Sequence, residues 1–399
     1  MTVTRDRSSQ PAPRPERVAL VISQSDLPSD PRVTRQIEWL TSEGWTVDSL
    51  GLGDRPVGVR DHFAMAPAPV WTRSALAKTF IHLALPFRVR FRVLSESRLS
   101  TEAAERIAAG GYDLVYFNDL YLIPWAANEA VFRDPKTHVH LDMHEYYEPT
   151  LRPGTRGRLI ASGYFRWVRS FVGSDAFNSR SAVSPAMSAM YANDFGVDAP
   201  HVVRNAPKFE ELRPSEVAAE RIELLHHGGA VWERGLREMV EAMRLVDDRF
   251  HLTFMLTGHP QVVAELRELT RGLEARISIV PAVAMEDVAS AINRFDLEIM
   301  FYQPITLNLR YALPNKLFEA VQGRLGVVVG ESPSMVDVVN EFDNGAIVRG
   351  WSPRDLAATL MELTPTRVAA MKANSDRAAA RLSAENEKEN FLASIKSAR

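Results

Sequence analysis

The sequence contains no cysteine. That excludes disulfides, thiolate nucleophiles and cysteine-ligated zinc together, and it fits a reducing, cytoplasmic setting. There is no Asp-x-Asp pair, and the one His-x3-His spacing of interest, His140 to His144, falls on a strand and turn pattern rather than a helix. Such a set gives no reason to expect a metal. No uninterrupted apolar run approaches the roughly 20 residues of a membrane-spanning helix. The nearest, residues 75–87, is broken by Lys78 and His82. An excess of one charge sign is missing too: a net charge of −3 over 399 residues gives no electrostatic reason to expect nucleic acid as a partner. Residues 1–16 are rich in Arg, Ser and Pro without an apolar centre, so they read as a flexible tail and not a signal peptide.

What is present is an ordinary globular composition, 46% hydrophobic and 24% charged, in a chain long enough for two domains. Short apolar runs alternate with amphipathic segments of helix length, the pattern of parallel sheets with helical crossovers. Strands are read at 18–23, 46–50, 114–117, 138–141 and 182–183, and in a second series at 223–226, 253–256, 277–280, 297–301 and 327–329. Asp30 and Pro31 start a helix whose stripe is Val33, Ile37 and Leu40 and which stops at Gly44. The polar, proline-containing stretch 205–214 separates the two series. The expected class is α/β, with two doubly wound, Rossmann-like domains (17–205 and 206–381) facing a central cleft and a C-terminal helix over 382–399.

The run Tyr311-Ala-Leu-Pro-Asn-Lys-Leu-Phe-Glu319 follows a buried strand and a loop. Pro314 suits the first position of a helix. The N–H groups of that helix start would then face the cleft and suit a phosphate. Lys316 places a positive charge in the first turn, which is unfavourable against the helix dipole unless an anion binds there. Glu319 lies four residues from Asn315 and three from Lys316, on one helical face. A carboxylate there can accept both hydroxyls of a ribose. By themselves Lys316 and Glu319 equally fit a solvated ion pair.

The run Leu313-Pro-Asn-Lys-Leu-Phe-Glu319, with Gly326-Val-Val-Val329 and Pro333-Ser-Met335 after it, resembles the donor-site signature of family 4 glycosyltransferases. Those are retaining enzymes of the GT-B fold that use nucleotide-diphosphate sugars. In that family the second Glu of a Glu-x7-Glu motif holds the donor ribose, and Glu319 matches it. The first, which contacts the donor sugar, falls on Tyr311. Upstream, Gly228-Gly229-Ala-Val-Trp-Glu-Arg234-Gly235 resembles the family's diphosphate loop. Arg234 matches its second basic position, Gly228 occupies the first, and Lys316 can supply the lost charge. Gly228 and Gly229 would let the backbone approach the phosphates.

In the first half, His144 of His140-Leu-Asp-Met-His144-Glu145 matches a strand-end histidine that contacts the donor sugar. Asp119 matches another cleft position. Asp142 and Glu145 are candidates for the acceptor side, whereas His140, inside the strand, has a structural character. The resemblance spans residues 18–350. It implies transfer of a hexosyl group with retention, without cofactor or metal, to an acceptor hydroxyl in bacterial glycan, glycolipid or secondary-metabolite synthesis. His144, Arg234, Lys316 and Glu319 form the implied catalytic set, and Asn315 and Tyr311 join the donor site. The departures at Tyr311 and Gly228 also fit a non-catalytic relative, a sugar-nucleotide sensor or partner subunit. A nucleotide-sugar epimerase shares the architecture but not the Pro-Asn-Lys-Leu-Phe-Glu run.

Two stretches concentrate cations among aromatic residues. Between Asp61 and Glu96 there is no acid, while Arg73, Lys78, Arg88, Arg90 and Arg92 accompany Trp71, Phe80, Phe87 and Phe91. Between Glu148 and Asp175, Arg152, Arg156, Arg158, Arg166 and Arg169 accompany Tyr164, Phe165, Trp167 and Phe171. Such surfaces can dock peripherally on an anionic membrane, and the same pattern fits helices whose apolar sides face the core.

Overall fold

The computed structural model describes residues 17–67, 69–118, 120–128, 130–146 and 155–396. The tail 1–16, Asp119 and Arg152 lie outside the described residues. In chain order the strands are β1 (Arg17–Asp26), β2 (Trp45–Leu52), β3 (Val59–Ala64), β4 (Leu114–Asn118), β5 (His138–Met143), β6 (Ser179–Ala182) and β7 (His201–Val202). They continue with β8 (Ile222–Gly229), β9 (Phe250–Thr257), β10 (Ile277–Pro281), β11 (Leu297–Met300), β12 (Gly326–Val329) and β13 (Gly345–Ile347). They form two parallel sheets, ordered β3-β2-β1-β4-β5-β6-β7 and β10-β9-β8-β11-β12-β13. Both orders reverse direction beside their first strand, as doubly wound sheets do. By its contacts the chain forms two compact units, one ending at Val139 and one beginning at His140.

In the first unit, β1 is buried from Ala19 to Ile22 and lies between β2 and β4. The Asp30 carboxylate accepts the N–H groups of Arg32 and Val33, at 3.0 and 3.2 Å, and so caps the helix Pro31–Ser42. Strand β3 escapes a periodicity reading because it is a polar edge, Val-Arg-Asp-His-Phe-Ala. It is pinned by side chains: Arg60 grips buried Asp48 through two bonds of 2.9 and 2.7 Å, and Ser49 meets His62 at 2.9 Å.

In the second unit, side chains of the six-stranded sheet alternate between two apolar layers. Leu224, Ile299 and Val328 face one, with Phe254 and Leu356; Leu225, Met300 and Val327 face the other, with Phe318 and Met335. The stretch 205–214 has no regular structure but is tied down by its backbone. Arg204 and Phe209 donate their N–H groups to Glu387 (2.8 Å) and Glu385 (3.0 Å) of the helix Ala384–Lys396, and Glu210 donates to Gln322 (3.1 Å). No helix among the described residues is long and apolar enough to cross a membrane.

One buried ion pair fixes where the central strands begin. Lys372 is fully buried and donates to Asp296 (2.9 Å), to the Phe295 carbonyl (2.9 Å) and to Ser215 (2.8 Å). The Asp296 carboxylate also accepts the N–H of Glu223 (2.9 Å), and Asp296 N–H donates to the Glu223 carbonyl (2.8 Å), which sets the start of β8 against β11. Removing one partner of a buried pair leaves an uncompensated charge, at a cost of about 3 kcal/mol. Lys372→Ala should therefore lower the thermal unfolding midpoint sharply, and Asp296→Asn combined with it should add little, as a double-mutant cycle by calorimetry would measure.

Candidate functional site

The site forms where β8 and β11 stop pairing through their backbones. Their register runs only over Leu224–Leu297 and Leu225–Glu298. Past that point side chains replace the ladder. The His226 ring meets the Ile299 carbonyl at 2.8 Å, and Glu298 accepts the N–H of His227 at 3.2 Å. This is the switch point of the sheet, at the carboxyl ends of its strands, where ligands of doubly wound sheets bind.

His227 is held at every polar atom. Its Nδ1 lies 3.0 Å from Glu298 and its Nε2 lies 2.8 Å from Glu319, while its carbonyl accepts the Lys316 ammonium. Burial alone would lower the imidazole pKa. The Glu298 charge and hydrogen bond, with the hydrogen bond from Glu319, outweigh it and raise the pKa to about 9. Burial next to Arg234 pushes Lys316 down to about 8, against the attraction of Glu298 and Glu319. His226 is fully buried, and desolvation with the nearby Lys316 charge keeps its pKa well below the ordinary value, so it is neutral.

A cavity of about 390 Å3 opens over this cluster. Its wall brings together His144, Glu145, Gly228, Arg234, Asn315, Lys316 and Glu319 from the residues singled out in the sequence. Gly228 adopts φ +107°, and a Cβ there would lie 2.9 Å from the Lys316 Nζ. Gly235, at φ +82°, leaves no space either, because a Cβ would sit 2.1 Å from the Phe301 carbonyl oxygen. Gly228 thus leaves room for the Lys316 ammonium, and Gly235 lets the loop carrying Arg234 lie against the Phe301 backbone. The helix Asn315–Gln322 begins one residue later than Pro314, which is its N-cap. The loop before it holds a further short helix, Leu307–Arg310, capped by Thr306. Asn308 of that helix accepts the Tyr146 N–H at 3.2 Å, and Tyr191 donates to the Glu145 carbonyl at 2.8 Å. Together these bonds hold the segment that carries His144.

Other singled-out residues lie elsewhere. Asp142 is fully buried in β5 and accepts from Ser181 at 2.6 Å, and Ser181 also meets His140 at 2.8 Å. Neither Asp142 nor His140 lines the cavity. Tyr311 and Gly229 are outside its wall as well; the Tyr311 carbonyl accepts from Ser334 at 2.8 Å, and that of Gly229 from Arg234 at 3.4 Å. Three residues of the cluster were not read from the sequence: His227, Glu298 and Tyr302. An acid in the middle of an otherwise apolar strand, Leu297-Glu-Ile-Met300, was the available signal.

Tyr302 is buried in the cavity wall, with Arg234 and Lys316 at 5.9 and 5.8 Å from its ring centroid. Its hydroxyl has no hydrogen-bond partner among the described residues, and burial raises its pKa. Tyr302→Phe should stabilise the ligand-free protein by about 1 kcal/mol by removing that unsatisfied group. A melting temperature that is unchanged or lower would show that the hydroxyl is satisfied in solution.

Residues 221–365, a little over a third of the chain, match the family model of glycosyl transferases group 1. No curated protein matches the sequence significantly. Among solved structures the chain is similar to Anabaena Alr3699/HepE in complex with UDP and glucose, at 15% identity and TM-score 0.68, covering 96% of this chain and 100% of that one. It is similar to a glycosyltransferase from Rickettsia africae (13%, TM-score 0.64, 96% and 98%). It is also similar to sucrose-phosphate synthase from Thermosynechococcus elongatus (15%, TM-score 0.62, 95% and 95%). At these identities the likeness is one of fold. The chain has the α/β GT-B fold, and the charged cluster of His227, Arg234, Glu298, Lys316 and Glu319 falls in the segment that matches glycosyl transferases group 1.

Proposed function

We propose that the protein is a retaining, metal-independent glycosyltransferase that moves a hexosyl group from a nucleotide-diphosphate sugar to an acceptor hydroxyl. The observation that carries this reading is the convergence of Arg234, Lys316 and the start of the helix Asn315–Gln322 on one cavity that also presents Glu319 and His144. Two cations and a helix N-terminus suit a diphosphate. Glu319 turns one oxygen to His227 and keeps the other for a ribose hydroxyl. The family match over 221–365 and the UDP and UDP-glucose complexes of the Anabaena protein support a nucleotide-sugar donor.

In the reaction the bond from the anomeric carbon to the diphosphate oxygen breaks, and the acceptor oxygen attacks from the same face. The diphosphate takes the acceptor proton. Arg234 and Lys316 would hold the charge of the leaving diphosphate, for which the loss of one donor costs about 3 kcal/mol in the transition state. His144 and Glu145, at the other wall, would contact the donor sugar and the acceptor. Glu319 anchors the remote ribose, so its binding energy orients the reacting sugar. Bacterial glycans, glycolipids and secondary metabolites all offer suitable acceptor hydroxyls.

The test is calorimetric titration with nucleoside diphosphates and their sugars, joined to an assay of donor hydrolysis and transfer in excess chelator. Glu319→Ala should weaken the sugar nucleotide and the free diphosphate alike, whereas Arg234→Ala should weaken ligands in step with their phosphate charge. Turnover should persist with chelator present. Unchanged affinity in Glu319→Ala removes the ribose assignment, and binding without turnover favours the sensor or partner-subunit reading.

The first unit supports a peripheral contact with an anionic membrane. In the helix Ala75–Ala84, Leu76, Phe80 and Leu83 fall at i, i+4 and i+7 and are 86, 60 and 66% exposed, while Ile81 faces inward. Phe87, Arg88 and Val89 continue the exposed surface on Phe87–Leu94, and Arg92 is exposed beside Glu96 at 3.5 Å. Arg90 is buried, donating to the Leu85 carbonyl at 2.7 Å, and so is Phe91. The side chains of Trp71, Arg73 and Lys78 lie outside those described. In the second basic stretch Phe165 is buried and Arg169 pairs with Asp194, while Arg166 is exposed; the side chains of Arg156 and Arg158 are outside those described. Each cation at an anionic surface contributes about 1 kcal/mol, which salt screens. The protein should co-sediment with anionic but not neutral vesicles at low ionic strength. Phe80→Glu and Arg88→Glu should each reduce that binding. Indifference to anionic vesicles at low salt removes the docking surface.

A further inference from the structure

Arg234, Lys316 and Glu319 have tasks in a nucleotide-sugar site, whereas the buried titratable pair beside them, Glu298 and His227, has none. Glu298 is fully buried in β11, and His227 is 5% exposed at the end of β8. Their geometry is restrictive. A neutral imidazole donates from one nitrogen only. Here both nitrogens meet carboxyl oxygens, Glu298 at 3.0 Å and Glu319 at 2.8 Å, so with both carboxyls ionised the two hydrogen bonds need a doubly protonated ring. Glu298 is itself fixed by the His227 N–H.

We propose that the buried Glu298–His227 pair is a positioning device that orients the Glu319 carboxylate toward the donor ribose, an assignment that rests on the nucleotide-sugar reading of this cavity. The imidazolium takes one Glu319 oxygen and leaves the other to accept a hydroxyl. Glu298 supplies the compensating charge that makes a buried imidazolium tolerable beside Lys316 and Arg234. The groups facing His227 are Glu298 on β11, Lys316 and Glu319 on the helix Asn315–Gln322, and neutral His226 next to it on β8, while Arg234 on the glycine loop acts on Lys316 and His226. With the His227 pKa raised to about 9, the device is intact at neutral pH and is lost as pH rises through that value. Lys316, at about 8, loses its charge earlier and acts on the phosphates.

Two measurements on the full-length protein test this. In the first, the imidazole Cε1–H signals of the ten histidines are titrated by NMR, with His227 assigned by its loss in His227→Gln. His227 should titrate near pH 9 in the wild type and clearly lower in Glu298→Gln, which keeps the shape but removes the charge. A His227 that titrates at or below the ordinary histidine value overturns the proposal, whatever the variants do. The second is binding of uridine, guanosine and adenosine diphosphates by the wild type, His227→Gln and Glu298→Gln between pH 7 and 10. Both variants should bind about tenfold more weakly at neutral pH, and His227→Gln should lose the part of the alkaline decline near pH 9 while keeping that of Lys316. If the wild type binds and both folded variants match it in affinity and pH profile, the positioning role is wrong. If the wild type binds none of the diphosphates, the nucleotide reading falls and this role falls with it, a result distinct from the former.

Discussion

The structure of this site depends on the place where β8 and β11 cease to hydrogen-bond through their backbones. Parallel strands that diverge leave N–H and C=O groups that must find other partners, because buried backbone polar groups are costly when unmet. Here side chains meet the demand: Glu298 takes the His227 N–H, the His226 ring meets the Ile299 carbonyl, and Lys316 takes the His227 carbonyl. The same substitutions bring ionisable groups into a sheet interior that is otherwise apolar. The pair Lys372–Asp296 fixes the opposite end of the two strands.

Once those groups are buried, electrostatics dictates their states. Arg234, Lys316 and the His227 imidazolium face the carboxylates of Glu298 and Glu319. Burial and the neighbouring Arg234 lower the pKa of Lys316 against the pull of Glu298 and Glu319, and a polyanionic ligand seated on these cations would relieve both effects. The glycine loop has a complementary part. Gly228 lies so near the Lys316 ammonium that any side chain would displace it, so the absence of a basic residue at that position and the presence of Lys316 belong to one arrangement.

The two basic-aromatic stretches show how similar compositions diverge in structure. Both carry arginines among aromatic residues without acids. In the helix Thr155–Ser170, Phe165 and Val168 turn inward and Arg169 is neutralised by Asp194 and lies over the Phe195 ring at 4.6 Å. In Ala75–Ala84 the periodic stripe of Leu76, Phe80 and Leu83 turns outward instead. Periodicity defines an apolar face but carries no information on which side of the helix the protein lies.

The amino-acid sequence by itself determined the alternation of strands and helices, because burial on both faces of a parallel sheet demands continuous apolar runs such as Gly326–Val329. It also determined the start of the helix bearing Lys316 and Glu319, since proline and the spacing of those residues act locally. Polar edge strands such as β3 and the two-residue β7 were illegible, because their pairing rests on Asp48 and on neighbouring strands rather than on their own pattern. Only the tertiary structure decided that His227, Glu298 and Glu319, which lie 71 and 92 residues apart from the histidine, share one chain of hydrogen bonds. It likewise decided that Asp142 points into a serine–histidine network of its sheet while His144, two residues on, lines the cavity. Sequence sets which faces are apolar and where the turns fall; the meeting of charges from distant strands depends on sheet order and register, which arise only when the whole sheet packs.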